Sequence, residues 1–189
     1  MTLRSLLRPA AFALSLTFLA AGAADAQETW TARAETRTPD AKLRTAPVTI
    51  SLDRMLTTAE RDTLLAAFKS GDAAALKKAL TAQQTLGYVE GGNKVKVPVK
   101  FAYPRPSGAG RIVTIVCDQP IVHIGGDVPD AKPKAGFSNA YVLLVLDGQG
   151  KGTGEVAPAA KLKLRDDGAL VVEDYGAETV WLKDVAPKK

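Results

Sequence analysis

The chain has 189 residues, 46% of them hydrophobic and 24% charged, and its formal net charge is +5 at pH 7. This length predicts one domain with enough residues for a sizeable core. Because the charge surplus is small and no run of five like charges occurs, the basic surface that nucleic-acid binding requires is not expected.

Residues 1–26 have the pattern of a secretory signal peptide. Arg4 and Arg8 form a cationic start, residues 10–21 are apolar, and Ala-Asp-Ala at 24–26 is a small-x-small cleavage signal. The apolar run is shorter than the roughly 20 residues of a bilayer-spanning helix. We therefore expect cleavage, no transmembrane segment in the mature chain, and a periplasmic or extracellular location.

The next segment, residues 27–47, has no sustained hydrophobic period and predicts a flexible leader, which Trp30 would hold to the body of the protein. A single α+β domain is expected over residues 48–186. It begins at residues 48–52, where apolar and polar residues alternate as in a half-buried strand.

A helical hairpin is predicted next. Thr57 and Glu60 have the spacing of a capping box at a helix start, and Gly71 would end that helix. Asp72 would cap a second helix that runs to about Gln83. Since a short helix pair buries too little apolar surface by itself, we expect it to pack on a sheet.

From Gly87 onward the hydrophobic period is two, which is typical of strands. Residues 112–117 and 141–146 are apolar on both faces, as in central strands covered on both sides. Asp-Gly at 167–168 favours a hairpin turn. The predicted fold class is α+β: an N-terminal helical hairpin packed on an antiparallel β-sheet or flattened barrel, with a C-terminal meander.

The sequence offers few metal ligands. Cys117 is the only cysteine and lies in an apolar run, so we expect it to be buried and to form no intramolecular disulfide. Cys117, Asp118, His123 and Asp127 are the one cluster of ligand types, and zinc normally needs three or four convergent ligands that are mostly His and Cys. No metal or other cofactor is expected.

Glycine occupies every second position near residue 150, which predicts a hairpin with one bare face. Another backbone, an aromatic ring, or a bound sugar or peptide would fit against that face. Together with the loop at 125–136, this hairpin is the predicted binding surface. The candidate binding residues are Gly148, Gly150, Gly152, Gly154, His123 and Asp118.

Without a metal set, a convincing nucleophile–base pair or a cofactor loop, the sequence predicts a non-catalytic binding or interaction module. Its partner would be a small molecule, a glycan or an envelope protein. One alternative is a small secreted hydrolase that uses His123 with Asp118 or Ser138. Another is a structural envelope protein with an extended apolar patch.

Six short motifs occur together across most of residues 48–185. They are Ala-Glu-Arg-Asp at 59–62, Leu-Gly-Tyr at 86–88, Asp-Gln-Pro-Ile at 118–121, Leu-Val-Leu-Asp at 144–147, Glu-Asp-Tyr-Gly at 173–176 and Val-Trp-Leu at 180–182. In this combination the chain resembles a family of uncharacterised secreted bacterial proteins. The resemblance implies no reaction and no catalytic residue. Cys117 and Gln119 stand where Thr and Arg are expected, so an anion-binding arginine would be missing here.

Overall fold

The computed structural model describes residues 27–69 and 73–188. The signal peptide at 1–26 and the helix boundary at Gly71 and Asp72 lie outside these residues and stay predictions. Within the described ranges, no helix has the length and apolarity needed to cross a membrane.

The described chain forms nine strands in one antiparallel sheet, together with two short helices. The strands are β1 (Glu28–Arg37), β2 (Leu43–Leu52), β3 (Gly87–Gly91), β4 (Lys96–Ser107), β5 (Gly110–Cys117), β6 (Asn139–Leu146), β7 (Gly152–Leu164), β8 (Leu170–Tyr175) and β9 (Val180–Pro187). The helices are α1 (Thr58–Lys69) and α2 (Ala73–Ala82).

Eight of the strands close into a barrel. Their order is β6-β5-β4-β3-β2-β1-β9-β7, and β6 also pairs with β7, while β8 is an extra strand on β7. The antiparallel sheet is confirmed, but the α+β prediction is wrong. Residues 112–117 and 141–146 are apolar on both faces, and one of these faces points into the barrel. Outside, the Tyr141 hydroxyl on β6 donates to the Leu170 carbonyl of β8 at 3.2 Å, so β8 covers this part of β6.

Residues 27–47 are part of this barrel and not a flexible leader. Strand β1 pairs with β2 along its whole length and with β9 on its other side. Trp30, at 2% exposure, belongs to the core. The prediction failed because the inward positions of β1, apart from Trp30, are small or polar and so produce no apolar stripe. These inward residues are Glu28, Trp30, Ala32, Ala34 and Thr36.

The two ends of the barrel differ. At the end formed by the β4–β5 and β6–β7 hairpins, the Arg111 guanidinium of β5 binds both carboxylate oxygens of Glu28, with one N–O distance of 3.0 Å. Strands β1 and β5 lie opposite each other in the strand order, so this ion pair links opposite sides of the ring above Trp30. The opposite end carries the long loop at 118–138.

The predicted capping box is confirmed. Glu60 accepts hydrogen bonds from the Thr57 backbone N–H at 2.8 Å and from Arg54 Nη1 at 2.9 Å, and the Glu60 N–H donates back to the Thr57 hydroxyl. Helix α1 contacts β7, α2 contacts β4, and both contribute leucines to the core. Both helices therefore pack against the barrel, and Arg61 of α1 lies over the Tyr103 ring of β4, 4.5 Å from its centroid.

This cap predicts a pH dependence of stability. The hydrogen bond from Arg54, followed by that from the Thr57 N–H, lowers the pKa of Glu60 from 4.5 to about 2. A lowered pKa stabilises the fold above the ordinary glutamate pKa, and the stabilisation is lost as the pH falls towards 2. Because Glu60 is about a third exposed, water screens the interaction, which we expect to contribute about 1 kcal/mol or less.

Urea unfolding at several pH values checks this expectation. The wild type should be more stable than Glu60→Gln at pH 7, and the difference should shrink between pH 4.5 and pH 2, the range set by the two pKa values. Parallel pH profiles for the two proteins would show that the carboxylate of Glu60 contributes nothing.

Candidate functional site

The predicted glycine hairpin lies at the hairpin end of the barrel, and part of it packs on the protein itself. A Cβ atom added to Gly154 would lie 2.4 Å from the Leu143 carbonyl oxygen and 2.9 Å from the Leu144 side chain. Gly150, with φ +74°, faces Pro187 and Trp30. A Cβ atom added to Gly152 would lie 1.9 Å from the Val145 carbonyl oxygen of β6, whereas Gly148 is exposed. The bare face of the hairpin is therefore filled by neighbouring strands.

The other predicted site residues lie at the opposite end. His123 Nδ1 is 2.8 Å from Asp130 Oδ1, and Ser138 Oγ donates to Asn139 Oδ1 at 3.3 Å. The eight residues of β6 separate this end from the glycine hairpin, a distance of about 25 Å at about 3.3 Å per strand residue. The structure thus does not bring the 125–136 loop and the glycine hairpin together.

Two further sequence predictions concern reactive groups. Cys117 is fully buried, as predicted. Burial, and to a lesser degree the charge of Asp118, raises the pKa of its thiol, so the thiol stays protonated. No hydrogen bond between described residues joins His123 to Asp118 or Ser138, and the described part of the chain holds no group of three metal-ligating side chains.

A cleft at the loop end is the best-formed concave site among the described residues, with a volume of about 510 Å³. We call it the rim cleft. One wall is the loop at 128–134, the other is the turn at 175–178, and Thr36 of β1 and Val180 of β9 reach it from inside the barrel. Its remaining lining residues are Thr38, Ile124 and Pro158.

Backbone contacts hold the loop wall in place. The Asp127 N–H donates to the Thr45 carbonyl at 3.2 Å, and the Thr45 N–H donates to the Asp127 carboxylate at 2.6 Å. Farther along, the Lys134 N–H donates to the Gly176 carbonyl at 3.1 Å. The Phe137 ring packs so closely on Gly176 that an added Cβ would lie 2.4 Å from it. These contacts fix both walls of the rim cleft without a ligand.

The Thr36 hydroxyl is the distinctive polar group of the rim cleft. The residue is only 8% exposed and makes no hydrogen bond through its side chain with the described residues. Every fully buried side-chain nitrogen or oxygen among the described residues has a hydrogen-bond partner. The Thr36 hydroxyl has no such partner, so it is not fully buried, and its accessible surface faces the cleft. A hydroxyl that opens into a cleft can hydrogen-bond to water or to a ligand atom.

The rim cleft carries charges of both signs, two lysines and two carboxylates. Lys132 and Lys134 lie on one wall. Asp130 is engaged by His123, which leaves Glu178 as the carboxylate of the lining without an ion pair among the described residues. Partial burial, and then the charge of Glu155, raises the pKa of Tyr175, so its phenol stays a neutral donor. A negative ligand group would therefore find its partners at Lys132 and Lys134.

Sequence reasoning missed Thr36 and the two lysines. Thr36 lay in the supposed leader, and the lysines are spaced along an irregular loop where no period marks them. The one available signal was the two-residue alternation of β1, in which Thr36 is a polar residue in an inward series.

Comparison with known proteins gives no match: no family model, no curated protein and no solved structure matches this chain.

Proposed function

We propose that the protein is a non-catalytic binding protein of the periplasm or extracellular space and that the rim cleft takes a small amphiphilic ligand. The observation that carries this proposal is the nearly buried Thr36 hydroxyl, which has no side-chain hydrogen bond with the described residues and opens into a preformed cleft of about 510 Å³. Ligand sites are typically concave and mostly apolar, with a few placed polar groups, and have volumes of about 300–1,000 Å³.

The lining indicates the class of ligand. Ile124, Val128 and Val180 would contact an apolar body. A hydroxyl, carbonyl or amide of the ligand would hydrogen-bond to Thr36, and a carboxylate, sulfonate or phosphate would lie near Lys132 and Lys134. Such a molecule combines apolar burial, which drives binding, with polar contacts that orient it.

The location rests on residues 1–26, whose pattern supports export. A hydrolase that uses His123 with Asp118 or Ser138 has no support from the hydrogen bonds of the described residues, because Asp130 is the partner of His123. A structural envelope role also lacks a supporting observation, since the exposed apolar side chains are spread over several strands.

Binding of 8-anilinonaphthalene-1-sulfonate to residues 27–189 tests the proposal, since this probe joins an apolar ring system to one sulfonate. Thr36→Val keeps the side-chain shape and removes the hydroxyl, so we expect about twofold to tenfold weaker binding, the effect of one hydrogen bond. Thr36→Leu should also fill the cleft and weaken binding at least about tenfold. The measurement is fluorescence titration of the folded protein.

Thr153→Val is the matched control, because Thr153 is an exposed strand threonine at the hairpin end. It should bind the probe like the wild type. Equal affinity of the wild type, Thr36→Leu and Thr153→Val would contradict a site in the rim cleft, and so would a wild type that does not bind.

A further inference from the structure

Trp181 lies on the outer face of the barrel and is 52% exposed. It borders a shallow depression of about 590 Å³ beside the rim cleft. Leu43, also on this surface, is 49% exposed. We call this surface the Trp181 shelf. Its residues are Glu35, Arg37, Leu43, Glu178, Trp181 and Lys183.

Carboxylates flank Trp181 on both sides. In the strand register, Trp181 of β9 is directly opposite Glu35 of β1 and directly opposite Glu155 of β7. Neighbouring strands are about 4.8 Å apart, and side chains at paired positions lie on the same face. The exposed indole is therefore bordered by an acidic side chain on each neighbouring strand.

The shelf carries both signs of charge. Glu35 is bound by Arg33 at 3.0 Å. Arg37, Lys183, Glu155 and Glu178 form no ion pair with other described residues. Two cationic donors and two carboxylate acceptors therefore remain around the ring. A surface with balanced charge does not attract a polyanion or a polycation. It offers both hydrogen-bond donors and acceptors beside an apolar ring.

From this arrangement we infer that the Trp181 shelf binds a neutral glycan chain. A sugar ring has an apolar C–H face that stacks on an exposed indole. Its hydroxyls donate to carboxylates and accept from lysine and arginine. The shelf is a site separate from the rim cleft, although Thr36 and Glu178 border both. The inference does not depend on the ligand proposed for the cleft.

Titration calorimetry with cellotetraose and with chitotetraose at millimolar concentration tests the inference and distinguishes hexose from N-acetylhexosamine chains. We expect the wild type to bind at least one of them and Trp181→Ala to weaken that binding at least about tenfold, as truncation of a central aromatic contact does. Glu155→Gln should weaken it about twofold to tenfold, the effect of one hydrogen bond.

Tyr88→Ala is the matched control, because Tyr88 is an aromatic residue of β3 with 40% exposure that lies away from the shelf. It should bind like the wild type. Absence of binding by the wild type, or equal affinity of Trp181→Ala, would overturn the inference. Self-association that Trp181→Ala abolishes, without glycan binding, would also overturn it and identify a second copy of the chain as the occupant. Binding of the naphthalene probe should be unchanged in Trp181→Ala. A negative result for glycan binding at the shelf is therefore distinguishable from a negative result for ligand binding in the rim cleft.

Discussion

Replacement of Trp30 by alanine is expected to lower the free energy of unfolding by about 3–5 kcal/mol. The side chain is 2% exposed and points into the barrel, where it contacts the Arg111 guanidinium at 5.8 Å from the ring centroid. Its removal leaves a cavity that surrounding strands fill only in part. Urea unfolding followed by circular dichroism measures the loss.

The chain contains two tryptophans, and the second one is the control. Trp181 is 52% exposed, so Trp181→Ala should lower the unfolding free energy by about 1–2 kcal/mol, clearly less than Trp30→Ala does. Equal effects of the two substitutions would contradict the placement of β1 as a strand of the barrel. Acrylamide quenching of fluorescence gives a second check, since Trp181→Phe should leave a poorly quenched Trp30.

Gly126→Ala is expected to lower the free energy of unfolding by about 2–4 kcal/mol and to weaken probe binding in the rim cleft. Gly126 has φ +61°, and an added Cβ would lie 2.4 Å from the Thr45 carbonyl oxygen and 2.9 Å from the Ala46 Cα. Since these neighbours belong to the backbone of β2, the loop wall would have to move away from the barrel.

Gly136→Ala separates backbone strain from this close approach. Gly136 lies in the same loop with φ +87°, and no atom lies within 4 Å of its added Cβ. It should lose about 1 kcal/mol, the backbone penalty alone, and keep probe binding. If Gly136→Ala destabilised the protein as much as Gly126→Ala, contact of the loop with β2 would not be what fixes the cleft.

The fold was predictable where the hydrophobic pattern is local. The alternation after Gly87, the two-faced apolar strands and the Thr57–Glu60 capping box all predicted elements that the structure contains. The closure of the barrel was not predictable in this way, because it depends on the pairing of β9 with β1 and with β7. These strands are not consecutive in the sequence, and no turn motif joins them. Strand β1 was missed because alanine and threonine at inward positions hide its period.

The candidate site was less predictable than the fold. Glycines at alternate positions drew attention to residues 148–154, yet in the barrel Gly154 allows close packing against Leu144 and Leu182, and Gly152 allows close approach of the β6 backbone. The rim cleft combines Thr36, a loop lysine pair and a turn near Tyr175, which are far apart in the sequence. Only the closed barrel brings them together, so no short motif could reveal the site.

The central claim is that the rim cleft is the ligand site, and the most direct test is an NMR titration of ¹⁵N-labelled residues 27–189 with 8-anilinonaphthalene-1-sulfonate. The amide resonances of Thr36, residues 128–134 and residues 175–180 should shift together as the probe is added. Shifts confined to residues 148–154, or no shifts at all, would contradict the claim.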